Sequence, residues 1–242
     1  MPPISATTFI WDFDGTLADT RLRNYRITCR LFRDATGRGI EEFPALATFE
    51  TFERTQRGYA NWRQLLTREF GFTAADTDRL GGLWSGYQLA DTTPVPVIDG
   101  LGAVIRTLNG ARHGVVSQNA RAHIVRTLEA AGLAPLFGAV IGYDSVRLTG
   151  QKPAPDGFLA CVDALGPPAP ARIVSVGDHE TDVRCARNAQ AALAERGAAC
   201  EVVAIAVRFV DGVEPAQWEA RPDHVAHDPA ELLDLVREQR LA

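Results

Sequence analysis

Lysine is all but missing from this chain. Of its 25 basic residues 24 are arginine, and Lys152 is the one lysine. Arginine has taken every place where positive charge alone suffices, which singles out Lys152 as a candidate for a role that needs a compact ammonium. Cysteine is scarce too. Cys29, Cys161, Cys185 and Cys200 form no CxxC pair and no zinc spacing. That excludes a disulfide framework and a zinc module, and the four read as reduced packing thiols of a cytoplasmic protein. No run of about 18 apolar residues occurs, so no membrane-spanning helix is expected; the longest apolar stretches, such as Val202–Val207, are strand-sized. Positive charge is not in excess, with 25 basic against 30 acidic residues and a net charge of −5. A nucleic-acid partner held by phosphate neutralisation is therefore not expected. Met1–Ser5 has neither a basic n-region nor a long apolar h-region, so no secretory signal is expected. What is present is ordinary for a folded protein of one or two domains: 242 residues, 46 % hydrophobic and 23 % charged.

Two kinds of segment alternate. Short β-branched runs lie at Thr7–Phe13, Gly114–Ser117, Ala139–Ile141, Ile173–Val176 and Val202–Val207, separated by stretches with helical spacing such as Leu101, Val104, Ile105 and Leu108. Strands alternating with helices predict an α/β fold: a Rossmann-like parallel sheet with helices on both faces. Residues 18–91 break the rhythm. They carry helical periodicity only, with one helix started by Leu22, Tyr25, Ile27 and Leu31 and others expected over Phe43–Phe52, Trp62–Phe70 and Ala74–Leu89, and they end in the Pro-bearing stretch Asp91–Pro96. The expected division is a core of 1–17 and 92–242, with an all-helical domain of 18–91 inserted after the first strand. The tail reads as a short strand, His224–His227, then a helix from Pro229.

Each predicted strand ends in polar residues, where open α/β sheets bind ligands. Asp12-Phe13-Asp14-Gly15-Thr16 follows the first strand. Side chains alternate along a strand, so Asp12 and Asp14 leave on one side and Phe13 on the other. Two carboxylates so close favour a bound cation or a raised pKa; an exposed Asp-Gly turn is the plainer alternative. Gly177–Asp182 follows an apolar strand and places Asp178 and Asp182 one helical turn apart; an Asp N-cap would explain one of these acids. Ser117-Gln118-Asn119 combines a hydroxyl with free backbone N–H groups ahead of a helix, which suits a phosphate, or else forms a cap. Lys152 stands in Lys152-Pro153-Ala154-Pro155, a stiff loop.

These four motifs, in this order and each after a strand, resemble those of the haloacid dehalogenase-like (HAD) hydrolase superfamily, and the helical insertion is similar to the family's cap. The resemblance implies that Asp12 is a nucleophile forming an aspartyl-phosphate and that Asp14 is general acid, then general base. It implies Mg²⁺ on a carboxylate oxygen of Asp12, the backbone carbonyl of Asp14, and Asp178, with Asp182 supporting the ion's waters or orienting Lys152. Ser117 and Lys152 would hold phosphoryl oxygens, helped by backbone N–H groups near Phe13, Asp14 and Gln118. Asp14 also separates branches, because the family's dehalogenases lack this second Asp and its ion-pumping relatives carry Thr there. The expected function is a Mg²⁺-dependent phosphatase acting on a small phosphorylated metabolite, similar to the phosphoglycolate phosphatase-like branch. A phosphomutase resembling β-phosphoglucomutase is the nearest alternative, and a non-catalytic binding protein a more distant one. In the helical insertion, Arg54 and Arg57 are candidate contacts for a second anion on the substrate, with Arg21, Arg23 and Asn24 as alternatives.

Overall fold

The structure, a computed structural model, describes residues 7–56, 58–59, 62–166, 172–212, 214–239 and 241. The chain divides into two compact units, one of Met1–Asp19 with Val95–Ala242 and one of Thr20–Pro94. Strand β1 (Thr7–Trp11) leads into the helices of the second unit, α1 (Arg21–Thr36), α2 (Phe49–Gln56), α3 (Trp62–Gln64) and α4 (Ala74–Ala90). The first unit resumes with α5 (Leu101–Thr107), β2 (Arg112–Val116), α6 (Arg121–Ala130), β3 (Phe137–Ile141), α7 (Asp156–Leu165) and β4 (Arg172–Gly177). It finishes with α8 (Glu180–Glu195), β5 (Glu201–Val207), β6 (His224–Ala226) and α9 (Pro229–Glu238).

The six strands are parallel and run in the order β3-β2-β1-β4-β5-β6. The period of two in each strand sends alternate side chains into two cores. Phe9, Trp11, Val115, Val174, Val176 and Ile205 pack on one face with Leu101, Ile105, Ile124, Leu128 and Leu232 from α5, α6 and α9. Ile10, Val116, Ile173, Ala204 and Ala206 pack on the other with Phe158, Cys161, Val183 and Ala186 from α7 and α8. Cover on both faces is why these strands read as nearly unbroken apolar runs. One polar group inside this core is fully explained. Trp11 Nε1 donates to His113 Nδ1 at 3.1 Å, so the proton sits on Nε2, which donates to the Leu108 carbonyl at 3.0 Å. Burial lowers the His113 pKa, keeping the ring neutral.

The chain runs from β1 outward to β2 and β3, then crosses to β4 on the other side of β1. Connections leave these two central strands in opposite directions, which opens a crevice at their carboxyl ends. Asp12 and Asp178 lie there, one residue beyond β1 and β4.

The helical unit has an aromatic core. Phe32 meets Phe43, Phe70 and Phe72 edge-on, with centroids 5.3, 4.7 and 5.1 Å apart, and Leu31, Leu46, Phe52, Leu65 and Leu80 complete the cluster. Two expected helices are interrupted. Within Phe43–Phe52, Pro44 opens a 3₁₀ turn over Pro44–Leu46, and the α-helix starts only at Phe49. Proline lacks the N–H that a helix interior needs, so it starts a turn rather than extending one. Within Trp62–Phe70, α3 gives way to a π-helical turn over Leu65–Glu69 that buries both Leu65 and Leu66. The other two, α1 and α4, run unbroken, and α4 begins at a reciprocal cap: Thr73 Oγ1 accepts from Asp76 N at 3.1 Å and Asp76 Oδ2 accepts from Thr73 N at 3.3 Å.

Candidate active site

Asp12 N donates to the Val176 carbonyl at 2.8 Å, carrying the β1–β4 ladder one residue past the strand. The chain then curls over Phe13–Ala18: the N–H groups of Leu17 and Ala18 both reach the Phe13 carbonyl, and Gly15 N reaches that of Ala18. Gly15 has φ +71°, and a Cβ there would overlap the Asp178 carboxylate. Glycine is therefore required both by the backbone and by the neighbouring acid. Phe13 is fully buried, edge-on to His123 at 5.7 Å, and this anchors the curl between the two acids.

The lone lysine joins two of the motif acids. Lys152 Nζ donates to Asp12 Oδ1 and to Asp182 Oδ1, both at 2.7 Å. The three side chains are 8 %, 11 % and 7 % exposed, so the pairs sit largely out of water. Asp182 Oδ2 also accepts from His179 N at 3.0 Å. Both oxygens of Asp182 are thus engaged by protein donors, an arrangement that orients Lys152. The residue that caps α8 is His179, whose Nδ1 accepts from Thr181 N at 3.2 Å. Capping therefore does not use up the Asp178 side chain. Glu180, the first residue of α8, is paired with Arg184 at 2.6 Å and accepts from Ala220 N at 3.0 Å.

Asp12, Asp178 and Asp182 each offer an oxygen within 4.8 Å of the others. Burial, reinforced by the charges of Asp182 and Asp14, outweighs Lys152 and pushes the Asp12 carboxyl up to about 7. Asp178 is pushed well above the carboxylate range, first by burial, then by Asp12 and Asp182. Burial alone would lower the Lys152 pKa, but its two carboxylate partners reverse this and hold it charged. One ammonium cannot neutralise so many acids, and the donors are all oxygen. The site fits a hard divalent cation such as Mg²⁺.

Ser117 follows β2. Its N–H donates to the Ile141 carbonyl at 3.0 Å and its Oγ accepts from Asn119 N at 3.1 Å. Gln118 is exposed, and its Nε2 donates to the Lys152 carbonyl at 3.3 Å, tying the Ser117 and Lys152 loops together. Among the described residues no backbone acceptor pairs with the N–H groups of Phe13, Asp14 or Gln118, so these donors are open to an anion. The Asp14 carboxylate stands outside the acid cluster. Asn119 Nδ2 lies 2.8 Å from both of its oxygens. Asn119 was visible in the sequence only as the third residue of Ser117–Asn119; the partnership with Asp14 spans 105 positions and has no local signature. Cys185, read from the sequence as a packing thiol, stands beside the Lys152 cluster. Its Sγ donates to the Ala154 carbonyl at 3.3 Å, and burial pushes its thiol up to about 12, that of an inert packing group.

In the helical unit, Arg54 is exposed and its Nη2 lies 3.4 Å from Thr51 Oγ1 on its own helix. Arg57 lies outside the described residues. Arg23, one of the alternative anion contacts, is 2 % exposed, and its charge helps to lower the Asp91 pKa. Arg21 lies 3.7 Å from Glu53, and Asn24 Nδ2 donates to Thr20 Oγ1 at 3.2 Å.

A family model described as haloacid dehalogenase-like hydrolase matches residues 6–190. None of the curated proteins matches the chain. Among solved structures, a provisionally assigned phosphoglycolate phosphatase from Lactobacillus plantarum is 18 % identical with a TM-score of 0.70, over 94 % of this chain and 98 % of that one. A predicted phosphatase from Clostridium acetobutylicum is 17 % identical with a TM-score of 0.69, over 96 % and 98 %. A HAD-superfamily hydrolase of subfamily IA from Geobacter sulfurreducens is 20 % identical with a TM-score of 0.60, over 96 % and 97 %.

Proposed function

We propose, from the premise that this chain belongs to the haloacid dehalogenase-like hydrolases, that it is a Mg²⁺-dependent phosphatase of small phosphomonoesters working through an aspartyl-phosphate. The observation that carries the reading is the buried line Asp12–Lys152–Asp182 with Asp178 beside it. A carboxylate held at 2.7 Å by a fixed ammonium is oriented, and its charge is compensated, for meeting an anionic phosphoryl group.

In the proposed reaction an Asp12 oxygen attacks phosphorus. Lys152 and Ser117, with the N–H groups of Phe13, Asp14 and Gln118, receive the phosphoryl oxygens. Asp14 gives its proton to the departing alkoxide as the ester bond breaks. It then takes a proton from the water that attacks the aspartyl-phosphate, returning Asp12 and releasing phosphate. Asp12, Asp178 and the backbone carbonyl of Asp14 would hold the ion, and Asp182 acts through Lys152. The ion's contribution is to offset the charge gathered between nucleophile and phosphate. The sheet unit supplies this chemistry, and the helical unit is assigned the selection of substrate.

The test is a panel of phosphorylated metabolites assayed for phosphate release with and without Mg²⁺, followed by Asp12→Asn. This replacement keeps shape and removes the attacking oxygen anion. Turnover should fall below about a thousandth of wild type with folding retained, and beryllofluoride should form its adduct on Asp12. Retention of a tenth of the activity would rule out covalent catalysis at Asp12. Turnover that requires a bisphosphate and releases no phosphate would replace the phosphatase with the phosphomutase.

A further inference from the structure

Asp12 and Asp14 are two residues apart, yet they are held by opposite kinds of partner. Asp12 faces a charged ammonium. Asp14 faces a neutral amide whose nitrogen stands 2.8 Å from both carboxylate oxygens. The amide presents its NH₂ end, which donates to the carboxyl oxygens. Asn119 is itself fixed. It is 1 % exposed, its N–H donates to Ser117 Oγ at 3.1 Å, and its carbonyl accepts from Tyr143 N at 3.0 Å. Among the described residues, no other side chain is seen to donate to the Asp14 carboxylate. The span Ser117–Asn119 therefore links a hydroxyl proposed to meet the phosphoryl group with an amide that sets the plane of the acid.

We propose that Asn119 is a positioning residue that aims the Asp14 carboxyl at the leaving-group oxygen by holding both of its oxygens in one orientation. The inference rests on the acid–base assignment of Asp14 made above. It adds that the proton transfer depends on an amide donor two residues beyond Ser117. Proton donation matters most when the departing oxygen is basic, so the role has a signature that a purely structural residue lacks.

The test compares kcat/KM, which reports the steps up to aspartyl-phosphate formation, for phenyl phosphate and p-nitrophenyl phosphate. The first needs its leaving oxygen protonated far more than the second. Asn119→Ala should lower kcat/KM for phenyl phosphate by about 30-fold, the scale of one charge-assisted hydrogen bond, and change the value for p-nitrophenyl phosphate less than about 3-fold. Asn119→Asp, isosteric but without the donor, should give the same split. Placed in an Asp14→Asn background, Asn119→Ala should cost almost nothing more, since the two residues act as one unit. Equal losses on both substrates, or full additivity with Asp14→Asn, would overturn the proposal. So would failure of both Asn119 variants to fold, which would make Asn119 structural. Asp14→Asn alone tests the underlying reading: if that variant retains wild-type activity, the acid–base assignment fails. If it is inactive while Asn119→Ala shows no split, the role of Asn119 alone is rejected.

Discussion

The two compact units of the molecule place their charges differently. In the sheet unit Lys152 and Asp182 are paired at 8 % and 7 % side-chain exposure, at the carboxyl edge of a mostly aliphatic core. In the helical unit, built around clustered aromatics, Arg63 and Asp78 meet at 2.6 Å with both side chains more than 60 % exposed. The exposed pair is solvated whether or not it forms and adds little to stability. The buried set is costly to desolvate and persists only while each member has its partner. The Arg63–Asp78 pair thus decorates a fold that aromatic packing holds, while Arg23, Glu53 and Asp91 are charges that this unit buries. The sheet unit carries exposed pairs as well, such as Arg196 with Asp163, but its buried set lies where the topology opens a crevice, against the interest of stability, as expected of a reactive site.

Replacing the buried cation should give the largest effect. Lys152→Arg keeps the charge, but a planar, longer guanidinium cannot reproduce two point contacts of 2.7 Å. We expect kcat to fall by about 10²-fold or more, on the scale of a lost preorganised contact, measured with any phosphomonoester the enzyme turns over. Unchanged kinetics would erase the distinction between the buried set and the surface pairs.

Arginines of the helical unit should have a smaller and more selective effect. Arg54→Ala or Arg57→Ala is expected to lower kcat/KM for the best metabolite substrate by about 10-fold, one lost charged hydrogen bond. Hydrolysis of p-nitrophenyl phosphate, which has no second anion, should be nearly unaffected. Equal loss on both substrates would move these residues into folding or core chemistry, and no loss on either would leave them as solvated charge.

The smallest effect should be thermal. The folded Asp12 takes up a proton more readily than the unfolded one, about 7 against 3.8. Its contribution to metal-free stability is therefore fully present below 3.8 and is lost as pH rises through about 7. A protonated Asp12 is a poor cation ligand, so the rise in Tm given by Mg²⁺ should grow between about pH 5.5 and 8, by a few degrees. Differential scanning fluorimetry with and without the ion would measure it, and Asp12→Asn should abolish the trend. A Mg²⁺ increment that is flat with pH would separate Asp12 from the cation site.

The sequence by itself determined the parallel α/β core, the helical insertion and the positions of Asp12, Asp14, Ser117, Lys152, Asp178 and Asp182. Those features are local: apolar runs ending in polar residues, a glycine after an acid, a solitary lysine beside prolines. α4 spans Ala74–Ala90, one residue beyond the helix expected over Ala74–Leu89. Periodicity was less informative where a proline or a change of helical pitch intervened, as at Pro44 and Leu65–Glu69, because the apolar spacing continues while the backbone changes. Only the tertiary structure decided how the acids are partitioned. It joined Lys152 to Asp12 across 140 positions and to Asp182 across 30, set Asn119 against Asp14, and gave the capping of α8 to His179. It also buried Arg23, which the sequence offered only as an alternative anion contact. Such partnerships depend on which strand ends lie side by side and on what water is excluded, and neither is encoded in the spacing of residues along the chain.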